Sequence, residues 1–315
     1  MIQGIHHPAL MVRDLAAAER YYCAAAGMQR LSGDAAAAFA PALGRMAGEA
    51  GPQFELALLA GRNGYLLLAA PHWPAGAPAA QDNPINRAGF RHFCAQNFDC
   101  AVLAKAVAAG GGSLIAPPLD LGTGNQYAYA RDGEGNIMEI EGLPYAPPSE
   151  PTWLGHMALV TRDMDRAAAF YGALLGRGVK HRSRVGPGAQ FDTMGGLSNA
   201  QLEGAWLPAG NLQLELWQFH APPSPPEAAP RQLFDPGYSH LCLESDDLAA
   251  DAALLMQLGG AIVGEVVEAD GLRSQFGRDG EGYLLQLIEL HGTARALAIA
   301  ALADPEASLR IEARR

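Results

Sequence analysis

Four of the nine histidines, His7, His92, His156 and His240, each open a short apolar run. Each is followed seven residues later by an aspartate and then by an Ala/Leu-rich stretch. Inside an apolar strand an imidazole without a partner costs stability. As a neutral base it is a good ligand for Zn, Ni, Mn or Fe, and a carboxylate beside it adds charge and hardness. Suitable partners stand in other apolar runs: Glu215 in Leu-Gln-Leu-Glu-Leu-Trp-Gln-Phe (212–219), Gln286 in Tyr283–Ile288, and Glu139 in Gly-Glu-Gly-Asn-Ile-Met-Glu (133–139). A single such histidine is more often a satisfied core residue than a ligand. Four in register reverse that expectation.

The register is that of a duplication. His7 and His156 lie 149 residues apart, and His92 and His240 lie 148 apart. Met46–His72 aligns without a gap on Met194–His220, which places Glu55 opposite Glu203 and Leu67 opposite Glu215. Arg-Asp-Gly-Glu-Gly occurs at 131–135 and again at 278–282. Repeats of this kind mark a supersecondary unit used several times.

Each quarter reads as a strand, a helix and three further strands. Residues 4–12 alternate as a half-buried strand, Asp14 starts a helix as its N-cap, and Gly27 ends it. The counterparts start at Asp99, Asp163 and Asp247 and stop near Gly110, Gly176 and Gly259. Asn63-Gly64 signals a hairpin. Pro-rich linkers are expected at 71–84, 143–151 and 221–237. Taken in chain order, the quarters give a module over 1–143 (repeats 1–70 and 87–143) and another over 152–291 (repeats 152–220 and 237–291). An Ala-rich helical tail is expected over 292–315.

Composition narrows the function classes. A net charge of -11 leaves no basic stripe for nucleic acid. No unbroken apolar stretch approaches the ~18 residues of a membrane span. The four cysteines lack CxxC spacing and read as reduced. The start of the chain shows no basic and then apolar leader, so the expectation is a cytoplasmic protein, monomer or homodimer.

Four βαβββ units, each opened by a histidine, resemble the vicinal-oxygen-chelate superfamily of glyoxalases, epimerases, antibiotic-resistance proteins and extradiol dioxygenases. The phrases Gly-His-Met-Ala-Leu-Val-Thr-Arg-Asp (155–163), 212–219 and 133–139 carry the resemblance. It implies an α+β fold of two glyoxalase-type modules, each a pair of βαβββ repeats forming a U-shaped mixed sheet around a metal site.

Carried over in chain order, the metal ligands are His156, Glu215, His240 and Gln286. A second candidate set is His7, His92 and Glu139, where Leu67 fills the fourth position. Relatives also pair half-sites across subunits, so the pairing is left open by sequence. Cys94 and Cys242, two residues beyond His92 and His240, read as small core fillers. Tyr129, Arg184 and Arg273 are candidate substrate contacts, with Phe276 at the position matching Tyr129. His6, His72 and His220 read equally as substrate contacts or as surface histidines.

The implied reaction is a divalent-metal-dependent isomerisation or lyase reaction of the glyoxalase/epimerase type. The substrate is a small molecule with vicinal oxygens, and the reaction proceeds by proton transfer through a stabilised enediolate. Glu215 is the expected base, and Gln286 in the second glutamate's place favours one-base transfer. The alternatives are an Fe(II) extradiol dioxygenase and a metal-free binding or resistance protein.

Overall fold

The computed structural model describes residues 1–48, 51–73, 83–226 and 231–314. Repeat one comprises β1 (Ile2–Met11), α1 (Leu15–Ala25), β2 (Gln29–Arg30), α2 (Gly33–Ala37), α3 (Ala40–Ala47), β3 (Phe54–Ala60) and β4 (Tyr65–Pro71). Repeat two comprises β5 (Gly89–Asn97), α4 (Cys100–Ala109), β6 (Ser113–Leu114), β7 (Gln126–Arg131) and β8 (Ile137–Gly142). Repeat three follows with β9 (Trp153–Val160), α5 (Met164–Leu174), β10 (His181–Val185), α6 (Ala189–Gly195), β11 (Gln201–Ala209) and β12 (Leu212–Ala221). Repeat four holds β13 (Gly237–Ser245), α7 (Leu248–Gln257), β14 (Ala261–Ala269), β15 (Leu272–Arg278) and β16 (Leu284–Leu290). The four aspartates do cap their helices: Asp14, Asp99, Asp163 and Asp247 accept from the backbone N–H of Ala17, Ala101, Arg166 and Ala250. The linkers expected at 71–84 and 221–237 lie partly outside the described residues.

Within each repeat the last strand runs parallel to the first, as in β4 beside β1 and β12 beside β9. Two mixed eight-stranded sheets result, but the repeats do not pair in chain order. The first sheet runs β14-β15-β16-β13-β1-β4-β3-β2, joining repeats one and four through antiparallel β1 and β13. The second runs β10-β11-β12-β9-β5-β8-β7-β6, joining repeats two and three through antiparallel β5 and β9. The chain-order modules therefore are not the sheet units.

Repeats that are neighbours in sequence meet through helices and turns instead. Helix α1 packs on α4, and α5 on α7. The repeated Arg-Asp-Gly-Glu-Gly turn makes the joint. Tyr22 donates to Asp132 and Tyr171 to Asp279, at 3.0 and 2.7 Å. Glu134 accepts from the backbone N–H of Arg13 and Asp14, and Glu281 from that of Arg162. Each glutamate thus sits at the N-terminus of the preceding repeat's helix, where a negative charge is favoured.

One apolar core fills the helix-bearing side of both sheets, with Tyr21, Tyr22, Phe93, Met157, Tyr171 and Leu241 fully buried in it. The opposite face of each sheet carries its own smaller apolar cluster. Two hairpin asparagines fasten the sheets together. Asn63 donates to the carbonyls of Leu154 and Asn211 and accepts from Leu154 N–H. Asn211 mirrors it on Ile5, donating to its carbonyl and accepting from its N–H. The Asn63-Gly64 hairpin joins β3 to β4 as expected, yet Asn63 is not among the residues with positive φ. Its side chain serves the clamp. Asn63→Ala strands two buried backbone groups of Leu154, at about 1–3 kcal/mol each. Chemical denaturation should therefore show a stability loss of about 2–6 kcal/mol; a loss below half of the lower figure would mean the clamp is not structural.

The tail is not one helix. It forms 3-10 turns over Gly292–Leu297 and Ile299–Ala301 and then α8 (Ala307–Glu312). Proline at 305 and the alternation of short apolar anchors suit segments that cling to a surface. Ile299 N–H donates to Glu244 of the first sheet, and Ser308 donates to Gly155 O of the second. No described helix is long and apolar enough to cross a membrane.

Candidate metal centre

Strands β12, β9, β5 and β8 are consecutive at the middle of the second sheet. Each contributes one side chain to a common point: Glu215, His156, His92 and Glu139. One donor atom from each lies within 4.8 Å of every other. His156 Nε2 is 2.9 Å from Glu139 Oε2 and 3.1 Å from Glu215 Oε2. His92 Nε2 is 3.4 and 3.7 Å from the same two oxygens. All four residues are buried, with at most 7% of each exposed.

Protein groups do not satisfy this cluster. Neither ring nitrogen of His92 has a hydrogen-bond partner, nor does Glu215 Oε2. Such orphans cost stability unless a cation takes their lone pairs. Burial alone would raise Glu215, but the charge of His156 and the closeness of both histidines outweigh it and hold the carboxyl well below the usual range. Glu139 is lowered as well, burial being outweighed by the hydrogen bond from His156 and by His92 nearby. For His156, burial is outweighed by Glu215 and Glu139, which raise it. Two carboxylates and two imidazoles would balance a divalent cation, and the residues fit one.

This set redraws the expected one. His156 and Glu215 are joined by His92 and Glu139 of repeat two, not by His240 and Gln286. Those two face the matching point of the first sheet, with His7 and Leu67. There His240 Nε2 donates to Gln286 Oε1 at 3.1 Å, and Gln286 donates in turn to Ser274. The awkward buried amide is thus satisfied without a metal. Nor do His7, His92 and Glu139 form a site, because His7 lies in the other sheet. With Glu139 in place of Gln286, the centre has two carboxylates, and the reason for expecting one-base transfer disappears.

Tyr129 is brought to the centre, its ring edge-on to His92 at 5.1 Å. Phe276 repeats this contact on His240. Arg184 and Arg273 are not at either site. Arg184 pairs with Glu203 and through it with Gln218, a row pointing away from Glu215 and Trp217. Arg273 is ion-paired to Glu289 on the face opposite Gln286. His72 and His220 are exposed, whereas His6 is fully buried beside His7. Cys94 is buried beside His156 and Glu141, and Cys242 beside His6 and His7 in the other sheet.

Sequence reasoning missed a polar layer beneath the centre. Glu141 accepts from Gln96 and Asn125, and Trp153 donates to Gln96. Burial, aided by the charge of Glu139, pushes Glu141 up to about 7. The signal was readable: Glu139 and Glu141, two apart on one strand, share a face. Also missed was an aromatic wall. Trp206 and Trp217 meet edge to face, and Phe191 of α6 packs against Trp217 and Phe219. Trp217 Nε1 is buried without a partner.

The family described as Glyoxalase/Bleomycin resistance protein/Dioxygenase superfamily matches residues 4–140 and 153–287. No curated protein matches. Among solved structures, glyoxalase I from Zea mays is similar over 91% of this chain and 92% of that one. Its identity is 20% and its TM-score 0.62. A structure from Bacillus subtilis subsp. subtilis str. 168 covers 100% of this chain and 96% of its own, at 13% identity and TM-score 0.60. At these identities the likeness is one of fold.

Proposed function

The chain belongs to the glyoxalase/bleomycin resistance protein/dioxygenase superfamily, and within it we propose a metal-dependent isomerase or lyase of the glyoxalase/epimerase type. Its centre is His92, Glu139, His156 and Glu215, and its substrate is a small molecule with oxygens on neighbouring carbons. The observation that carries this reading is the pair of carboxylates among the four convergent donors. A divalent transition metal held there supplies Lewis-acid stabilisation of negative charge developing on two neighbouring substrate oxygens.

The chain's own groups do the rest. Glu215 accepts the proton from the carbon next to the carbonyl, its Oε2 being buried at the centre and held by no hydrogen-bond donor. Glu139, anchored by His156, stands ready to hold a proton on the other side. Tyr129 fixes the plane of the His92 ring. Trp206, Trp217, Phe191 and Phe219 keep water from the reacting carbon and suit an apolar substrate body.

Tyr129 beside His92 also suits an extradiol dioxygenase, but such iron chemistry needs only three protein ligands and several open positions. One experiment separates the readings. Protein purified without chelators should carry about one divalent metal per centre and exchange a substrate C–H for deuterium in D2O without consuming oxygen. Iron with oxygen uptake on catechols supports the dioxygenase instead. Less than half an equivalent of every transition metal, with none bound on addition, would remove both.

A further inference from the structure

We propose that the first sheet carries a separate soft-metal site, held by His7 and Cys242 with His6 anchoring the His7 ring, suited to Cu(I). This site is distinct in composition from the centre in the second sheet. The residue matching His6 there is Gly155, so no adjacent pair of histidines exists in β9.

The geometry begins with the backbone. Consecutive strand residues point to opposite faces, yet His6 and His7 turn their rings to one another, with centroids 5.0 Å apart. A register shift between Ile5 and His7 against β13 makes this feasible. Such bulges re-aim a side chain and gather beside functional sites. Cys242 is the partner of His7 across the two strands. One donor atom each from His6, His7 and Cys242 lies within 4.8 Å of the other two. All three residues are fully buried.

Hydrogen bonding leaves one lone pair over. The carbonyl of Leu297, on the tail, can only accept, so His6 Nε2 carries the hydrogen in their 2.8 Å bond. In neutral His6 the Nδ1 atom then accepts from His7 Nδ1–H at 2.7 Å, the anchor that a metal-binding histidine usually has on its other ring nitrogen. That leaves His7 Nε2 as a bare lone pair, buried and without a partner. This free nitrogen is the one placed to take a cation beside Cys242.

The donor set selects the cation. Neither carboxylate of the second sheet's centre has a counterpart here, since Leu67 and Gln286 occupy those positions. An imidazole and a thiolate are donors that favour Cu(I) over Mg, Ca or Mn. One thiolate neutralises a monovalent ion, whereas a divalent ion would leave net charge in a site closed to water. Coordination converts the Cys242 thiol to its thiolate, the sulfur–proton bond giving way to a sulfur–copper bond and the proton passing to the buffer.

The test uses the full chain, first loaded with Zn(II) and then titrated anaerobically with Cu(I) against a chromogenic Cu(I) chelator. One further equivalent should bind. Its affinity should fall by more than about 100-fold in Cys242→Ser and by about 10–100-fold in His6→Phe, a change that keeps an aromatic ring on Tyr65, but not in Cys94→Ser. Copper K-edge absorption of the wild type should show one sulfur and one nitrogen neighbour, a readout independent of how the variants fold. No further equivalent, a sulfur-free copper environment, or binding that survives Cys242→Ser would overturn the site.

Discussion

Replacing Glu215 by glutamine is expected to leave the metal bound and to lower turnover by about 10²–10⁴-fold. The amide retains an oxygen for coordination but cannot accept a proton, so binding and proton transfer separate. The residue is 3% exposed and its Oε2 lies 3.1 Å from His156 Nε2 without a hydrogen bond of good geometry. It is therefore the carboxylate least committed to structure. Glu139 is committed, through its 2.9 Å bond with His156, and Glu139→Gln should weaken metal binding along with rate. Steady-state rates on any turned-over substrate, with metal content measured on the same samples, check this. Full activity in Glu215→Gln with loss in Glu139→Gln would give the base role to Glu139. It would also agree with a dioxygenase that uses a two-histidine, one-carboxylate set.

His92→Ala should lower affinity for Mn(II), a hard probe that avoids the soft site, by more than about 100-fold. His240→Ala should change it less than about twofold. The reasoning is topological. His92 projects from β5, which is hydrogen-bonded to the His156 strand, whereas His240 projects from β13 in the other sheet. Had the repeats paired in chain order, His240 would complete the set with His156 and Glu215, and the two effects would be reversed. Calorimetric titration of both variants decides, because equal losses are compatible with neither arrangement.

The resemblance of particular residues to one another carried most of the way from sequence to site. All four side chains that converge in the second sheet stand out in the sequence, because histidine and glutamate in register in apolar strands need partners. Their grouping does not. Arg184 and Arg273 failed as candidates for the opposite reason. A solvated arginine leaves no periodic trace, and only strand register shows that Arg184 belongs to the row facing away from Glu215. His6 reads from sequence as a substrate contact or a surface histidine; the bulge that brings its ring to His7 depends on pairing with β13.

What the sequence by itself determined is local: the four repeats, their capped helices, the strands and the donors on them. Those follow from spacing, caps and alternation, which act over a few residues to one repeat length. Only the tertiary structure decided which repeats share a sheet. The opening strands β1, β5, β9 and β13 offer similar apolar patterns and the same unpaired edge, so strand-level energetics hardly distinguish their partners. The choice rests on contacts between residues far apart in the chain. The Arg-Asp-Gly-Glu-Gly turns dock chain-order neighbours back to back, and Asn63 and Asn211 grip the opening strands of the opposite sheets. Once sequential repeats are joined by helices and turns, their opening strands are left to pair with the other half of the chain. That pairing puts two carboxylates in one site and none in the other.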